Sequence, residues 1–262
     1  MEKVIYYSDE INDDFAATNG AINTQKITGD YKYIHSSWLW KVCSFLLYRL
    51  ILLPVTFVYM KLVHGMKIKN RKVLKEIDGG YFLYGNHTQN IADAFIPLFV
   101  CHPRKGNIIV GPDATSIPVA KHIVSMLGGV PLPGDLKSLR NFLECVNSRV
   151  ERGQVVTIYP EAHIWPYYNG IRDFPDGSFQ YPLKIGAPSV AFVVTYRERK
   201  HLKKLPPKIT VVVSEPFYPR EGMKKTELRN EIHDFMVETV EKEHSYAYIE
   251  YRRKPDDSNP GM

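Results

Sequence analysis

The sequence predicts an α/β domain, a mixed and largely parallel sheet flanked by helices, with an N-terminal membrane-associating helical segment. Three observations carry this. From residue 79 onward, short β-rich runs alternate with helical windows, the pattern of a sheet with helices on its faces. The later runs AFVVTY and ITVVV are nearly all apolar, as strands covered on both faces require. Ahead of them, Trp38 to Val63 is the most apolar stretch of the chain.

Taken in order, residues 1–36 form an acidic leader, residues 37–66 the membrane helix or helical pair, residues 67–250 the α/β domain, and residues 251–262 a disordered tail. Lys41 and Arg49 interrupt the apolar stretch, and its longest charge-free run, Leu50 to Met60, spans 11 residues. A crossing helix needs roughly 20 apolar residues, so the expectation is a helix or bent pair lying in one leaflet, with Pro54 inviting the bend. Strands are expected at 79–85, 107–111, 129–132, 155–160, 189–196 and 208–216. Helices are expected after Asn90, through Val119 to Met126, from Lys137 to Arg152, and from about Lys224 to Glu243, where Leu228, Ile232, Phe235, Met236 and Val240 are apolar at helical spacing.

With 262 residues, 44% of them hydrophobic and 24% charged, the chain has the composition of a globular protein of one ordinary domain. Three cysteines without Cys-x-x-Cys spacing indicate neither a disulfide framework nor a zinc ribbon. Residues 1–30 hold six acids and two lysines, the reverse of a signal peptide, so secretion is disfavoured. The other 232 residues carry a formal charge of +10, which suggests an anionic partner: nucleic acid, anionic lipid, or a phosphorylated or acidic acyl carrier. No nucleic-acid recognition motif is present, and no Gly-x-Ser-x-Gly, phosphate loop, Gly-x-Gly-x-x-Gly or His-Glu-x-x-His occurs.

Two polar constellations follow apolar strands, where α/β folds place their sites. The first is Asn86-His87-Thr88-Gln89-Asn90-Ile91-Ala92-Asp93. A neutral imidazole takes a proton from an alcohol, and a carboxylate on its other nitrogen fixes the tautomer. On one continuous helix, six residues leave two side chains roughly 120° apart, so His87 and Asp93 meet only across a turn. Asn90 would then cap a helix with Asp93 in its first turn; an ordinary helix start with a turn histidine fits the same residues. The second constellation is Tyr159-Pro160-Glu161-Ala162-His163-Ile164-Trp165-Pro166, readable as a site rim or as a capped loop. No dependable metal-ligand spacing links Glu161, His163, His87 and Asp93, so no metal is expected.

In this order the two constellations and their surroundings resemble the glycerolipid acyltransferase family, typified by 1-acylglycerol-3-phosphate acyltransferases, over roughly residues 79–216. Asn86-His87 with Asp93 resembles the family's His-x4-Asp block, and Gly128-Gly129-Val130-Pro131-Leu132 lies where its Gly-x-x-Phe-Ile-Asp-Arg block falls. Tyr159-Pro160-Glu161 resembles Phe-Pro-Glu-Gly-Thr-Arg, and Leu183-Lys184-Ile185-Gly186-Ala187 resembles Phe-Lys-x-Gly-Ala. Two departures stand out. Five residues rather than four separate His87 from Asp93, and the phosphate-contacting arginine falls at Ile164, with Lys137 near the other missing arginine.

The resemblance implies direct acyl transfer from an acyl thioester to a lysolipid hydroxyl, most readily that of 1-acylglycerol-3-phosphate in phospholipid biosynthesis. His87 would be the general base and Asp93 its orienting partner, with Glu161 positioning the acceptor beside Gly129. Lys184, Lys137 or Arg172 would stand in for the missing arginines. No cofactor is implied beyond acyl-CoA or acyl-carrier protein as co-substrate. The clusters Lys67 to Lys75 and Arg197 to Lys208 would hold anionic lipid or attract a phosphorylated or acidic acyl donor, on the cytoplasmic face of a membrane in a peripheral or monotopic arrangement. A non-catalytic lipid-binding protein on a degenerate acyltransferase fold is the alternative.

Overall fold

Strand β3 (Tyr81–Gly85) decides the layering, because every one of its side chains is buried and successive ones point to opposite faces. Phe82 and Tyr84 join one core, with Phe142, Val146, Val156, Phe179, Leu228, Ile232 and Met236. Tyr81 and Leu83 join the other, with Met60, Ile96, Val100, Val190, Phe192 and Val194. The structure, a computed structural model, describes residues 3–16, 24–116 and 118–255.

Seven strands form the central sheet: β2 (Lys67–Lys69), β3, β4 (Gly106–Val110), β5 (Gly129–Pro131), β6 (Val155–Ile158), β7 (Ser189–Arg197) and β8 (Lys208–Val213). Their order is β2-β8-β7-β3-β6-β4-β5. All pairings are parallel except β7 with β8, so the sheet is mixed and largely parallel, as expected. Helices α5 (Leu136–Glu151) and α7 (Lys225–Lys242) contribute to the first core, while α2 (Leu53–Leu62) and α3 (Ile96–Cys101) contribute to the second. Helix α5 begins at a reciprocal cap: the Ser138 amide donates to Asp135 Oδ1 at 2.6 Å, and the Asp135 amide donates to Ser138 Oγ at 3.0 Å. Helices α4 (Pro118–Met126) and α6 (Gln180–Ile185) complete the set.

Of the two forms expected for the apolar segment, a single helix and a bent pair, the structure has the single helix. Trp38–Leu62 is one continuous helix of 25 residues, long and apolar enough by length and composition to cross a membrane. It runs from α1 (Trp38–Leu46) through a π-helical turn at Leu47–Leu52 into α2. Pro54 does not divide it, because it falls in the first turn of α2, where the missing N–H is tolerated. The buried positions Ser44, Tyr48, Leu53, Thr56 and Met60 step by four, five, three and four. The step of five falls where the π turn adds a residue, which keeps the inner face on the sheet. The opposite face, including Phe45, Leu50, Ile51, Val55 and Val58, is exposed.

A second sheet was not legible: β1 (Lys3–Tyr7) pairs in parallel with β9 (Ile249–Arg253), joining the acidic leader to the expected tail. Tyr251, Arg252 and Arg253 are therefore strand rather than disordered; residues 17–23 of the leader and 256–262 of the tail lie outside the described residues.

Because Met60 is fully buried against the sheet while Val55 is 63% exposed, Met60→Ala should cost about 2–5 kcal/mol and Val55→Ala within about 0.5 kcal/mol. Urea unfolding of the full chain in detergent checks this; equal costs would mean that the helix does not pack on the domain.

Candidate active site

Asn86 ends β3 by using its side chain as a substitute strand backbone. Its Nδ2 donates to the Val194 carbonyl at 3.1 Å, and its Oδ1 accepts the Val194 amide at 2.7 Å. The main chain is thereby released from the sheet one residue before His87. Gly85 is required there, since a Cβ would lie 2.1 Å from the Phe192 ring. The next residues are pinned by Tyr196, whose hydroxyl donates to Thr88 Oγ1 at 2.6 Å and accepts from Gln89 Nε2 at 2.8 Å.

The extra residue between His87 and Asp93 is absorbed by a short 3-10 turn, Ala92–Ala94, in place of the start of an α-helix. Asn90 is not its cap, as the cap position is Ile91. Asp93 nevertheless reaches back, and His87 Nδ1 lies 2.7 Å from Asp93 Oδ2, which also accepts the Gln89 amide at 2.9 Å. Burial raises the Asp93 carboxyl above its ordinary range, and the hydrogen bond from His87 opposes that rise. Tyr159 supports the pair from beneath: its ring stacks on the imidazole at 4.4 Å, and its hydroxyl donates to the Asp93 carbonyl at 2.6 Å.

Strand β6 delivers the second constellation beside the first, and Glu161 joins them. Glu161 accepts the His87 amide at 3.1 Å, the Arg172 amide at 3.2 Å, and Arg172 Nη2 at 3.2 Å. Both members of this ion pair are buried, and Arg172 also lies over the Trp165 ring at 5.0 Å. Burial pushes the Glu161 carboxyl up, while the Arg172 guanidinium pulls it back. Backbone bonds close the same junction, with the Trp165 amide donating to the His87 carbonyl and the Tyr167 amide to the Thr88 carbonyl. The leader covers the outside: the Trp165 indole donates to the Asp13 carbonyl at 2.8 Å, and the Ile164 amide donates to Asp14 Oδ1 at 3.2 Å.

His87 and Asp93 line a cleft of about 460 Å³ at the carboxyl ends of β3, β4, β5 and β6, with Ile108, Asp113, Leu132 and Ile158 among its walls. The other expected site residues lie elsewhere. Glu161 lies beneath the His87 loop with its carboxylate engaged in the junction. Arg172, expected as a charge for the acceptor, is 1% exposed and faces Glu161. Lys137 points outward beside Asp30 at 3.4 Å, and Lys184 is exposed on α6. Gly129 is a packing residue, because a Cβ there would lie 2.3 Å from Val124 Cγ1. No lysine or arginine lines the cleft among the described residues, and no three potential metal ligands converge among them. Tyr159 was singled out with its constellation but not as a support for His87, and Tyr196 was missed altogether, since nothing in its local pattern distinguishes it from a core aromatic.

A family model described as Acyltransferase matches residues 63–195. No curated protein matches the chain. Seven solved chains do. One is the crystal structure of the 1-acyl-sn-glycerophosphate (LPA) acyltransferase, PlsC, from Thermotoga maritima. It superposes with a TM-score of 0.53 at 17% identity, over 79% of this chain and 96% of that chain; at that identity the likeness establishes the fold.

Two outcomes follow from the junction. Arg172→Ala leaves the Glu161 carboxylate buried without its partner, so urea unfolding should show a loss of about 3–5 kcal/mol, and Arg172→Met combined with Glu161→Gln should recover part of it. A single-variant loss below about 1 kcal/mol would contradict the buried-pair account. Ala162 sits at φ +62°, a region costly for a side-chain-bearing residue, so Ala162→Gly should stabilise by on the order of 0.5 kcal/mol after the added freedom of the unfolded chain is counted. A destabilised variant would refute that strain.

Proposed function

The chain belongs to the acyltransferase family, and from that premise we propose that it moves a fatty acyl group from an acyl thioester to a hydroxyl of a lysolipid. The observation that carries this reading is the 2.7 Å contact of His87 Nδ1 with the buried Asp93 carboxylate at the wall of the cleft. With Nδ1–H donating to Asp93, Nε2 is the ring nitrogen left to act as base. It takes the acceptor hydroxyl proton as the oxygen attacks the thioester carbonyl carbon. Collapse of the tetrahedral adduct breaks the C–S bond, and the imidazolium returns the proton to the departing thiolate. The products are an ester and a free thiol, with no covalent enzyme intermediate.

The donor is acyl-CoA or acyl-carrier protein, and the continuous apolar helix holds the domain at the cytoplasmic face of a membrane. Three free cysteines suit that reducing compartment. The acceptor that the Thermotoga protein's title names, 1-acyl-sn-glycerophosphate, is the first candidate. A second reading of the acceptor rests on the cleft wall, where Asp93 and Asp113 stand without a lysine or arginine among the described residues. A lysolipid with a neutral or zwitterionic headgroup meets less charge opposition there than a phosphate monoester does.

Thiol release measured with detergent-dispersed lysolipids and either donor tests the proposal. Wild type should turn over and His87→Ala should lose about two to four powers of ten in kcat. Turnover independent of His87 removes its role as base; no turnover with any headgroup favours the non-catalytic lipid-binding reading.

A further inference from the structure

His87 and Asp93 lie at the carboxyl ends of the strands, and a cluster of cations lies at the opposite end. Lys105 directly precedes β4 and Gln154 directly precedes β6, and with the inner face of α1 they line a cavity of about 330 Å³. Lys41, Arg49, Lys105, Arg149 and Arg152 all contribute to its walls, and no carboxylate does among the described residues. None of the five takes part in an ion pair with a described acidic residue.

Neutral groups position the charged heads without cancelling them. Lys105 Nζ donates to Ser44 Oγ at 3.0 Å and to the Met126 carbonyl at 3.4 Å. Arg149 donates through Nε to Cys145 Sγ at 3.1 Å and through Nη1 to Asn107 Oδ1. Arg49 reaches the Pro103 carbonyl. Burial first, then Arg149 and Arg49, bring the Lys105 ammonium down to about 8. Like charges converging without a counter-charge destabilise one another, and a bound anion reverses the sign of that interaction.

The surroundings point to the source of the anion. Trp40 and Phe45 also line the cavity, and Phe45 is 59% exposed at the edge of the apolar outer face of the leader helix. A cationic pocket beside an exposed apolar helix suits a ligand that carries phosphate at one end and hydrocarbon at the other. By contrast, Arg197 and Arg199 of the basic stretch near β8 are bound to the Gly65, Ile209, Pro206 and Val63 carbonyls and tie the end of the helix to the sheet.

We propose that the cavity between α1 and the amino ends of β4 and β6 binds the phosphate of an anionic phospholipid, with Lys105 and Arg149 as its inner ligands. This site is separate from the His87 cleft and stands whether or not the acyl-transfer reading holds. The shared chemistry is a phosphate group, and its alternative sources are soluble ones, inorganic phosphate or coenzyme A.

The test is flotation of the full chain with phosphatidylcholine vesicles, with and without phosphatidylglycerol. Lys105→Gln and Arg149→Gln should each lower the preference for phosphatidylglycerol at least about tenfold, while Lys67→Gln, a surface control, lowers it by about fivefold or less. Binding to phosphatidylcholine alone should be unchanged. Arg152→Gln combined with Lys41→Gln alters only exposed positions of the same cavity, which keeps the test independent of folding defects at Lys105; it too should lose the preference. Retention of the preference in the cavity variants, or an equal loss in Lys67→Gln, overturns the site. Lys105-dependent thermal stabilisation by inorganic phosphate or coenzyme A, without any lipid preference, overturns the lipid assignment.

Discussion

A carboxylate taken out of water must be met by donors from several directions, and Glu161 imposes that constraint on this fold. Its oxygens accept from the His87 amide, the Arg172 amide and the Arg172 guanidinium. The exits of β3 and β6 and the loop carrying Arg172 are therefore fixed relative to one another by one side chain. The position of His87 follows from that junction, and Asp93 needs only a 3-10 turn to reach it. Strand β1 and the segment up to Phe15 lie over the same loop through Asp13, Asp14 and the Phe15 amide, so the acidic leader is part of the support for the site.

Much of the sheet was legible because buried parallel strands must be apolar on both faces, and β6, β7 and β8 carry continuous runs of that kind. Helix α7 was legible from Leu228, Ile232 and Met236, all fully buried. His87 and Asp93 were legible as a pair only through the resemblance to the His-x4-Asp block, because an ordinary helix start with a turn histidine fits the same local pattern. The β1–β9 ladder was not, since its strands are short, largely exposed and at opposite ends of the chain. The apolar helix was legible as a helix or bent pair, while the place of Lys41 and Arg49, which break its apolar run, was not: both line the basic cavity at the amino ends of the strands.

Arg172 shows the limit of reading by position. Arg172, a charge expected to stand in for the arginine that falls at Ile164, comes eleven residues after Glu161 from a loop without periodicity, and it pairs with the glutamate rather than facing the cleft. Ala162 shows the converse: its left-handed φ, a conformation that favours glycine, could not be read from the sequence.

The proposed reaction depends on Asp93 holding His87 in the tautomer that leaves Nε2 free to accept a proton. Nitrogen-15 NMR of histidine-labelled full-length protein in detergent, with His87 assigned through His87→Ala, measures this directly. In wild type the proton shared with Asp93 should sit on His87 Nδ1, and that preference should be lost in Asp93→Asn. A wild-type His87 protonated on Nε2, or a tautomer unchanged by Asp93→Asn, would contradict it.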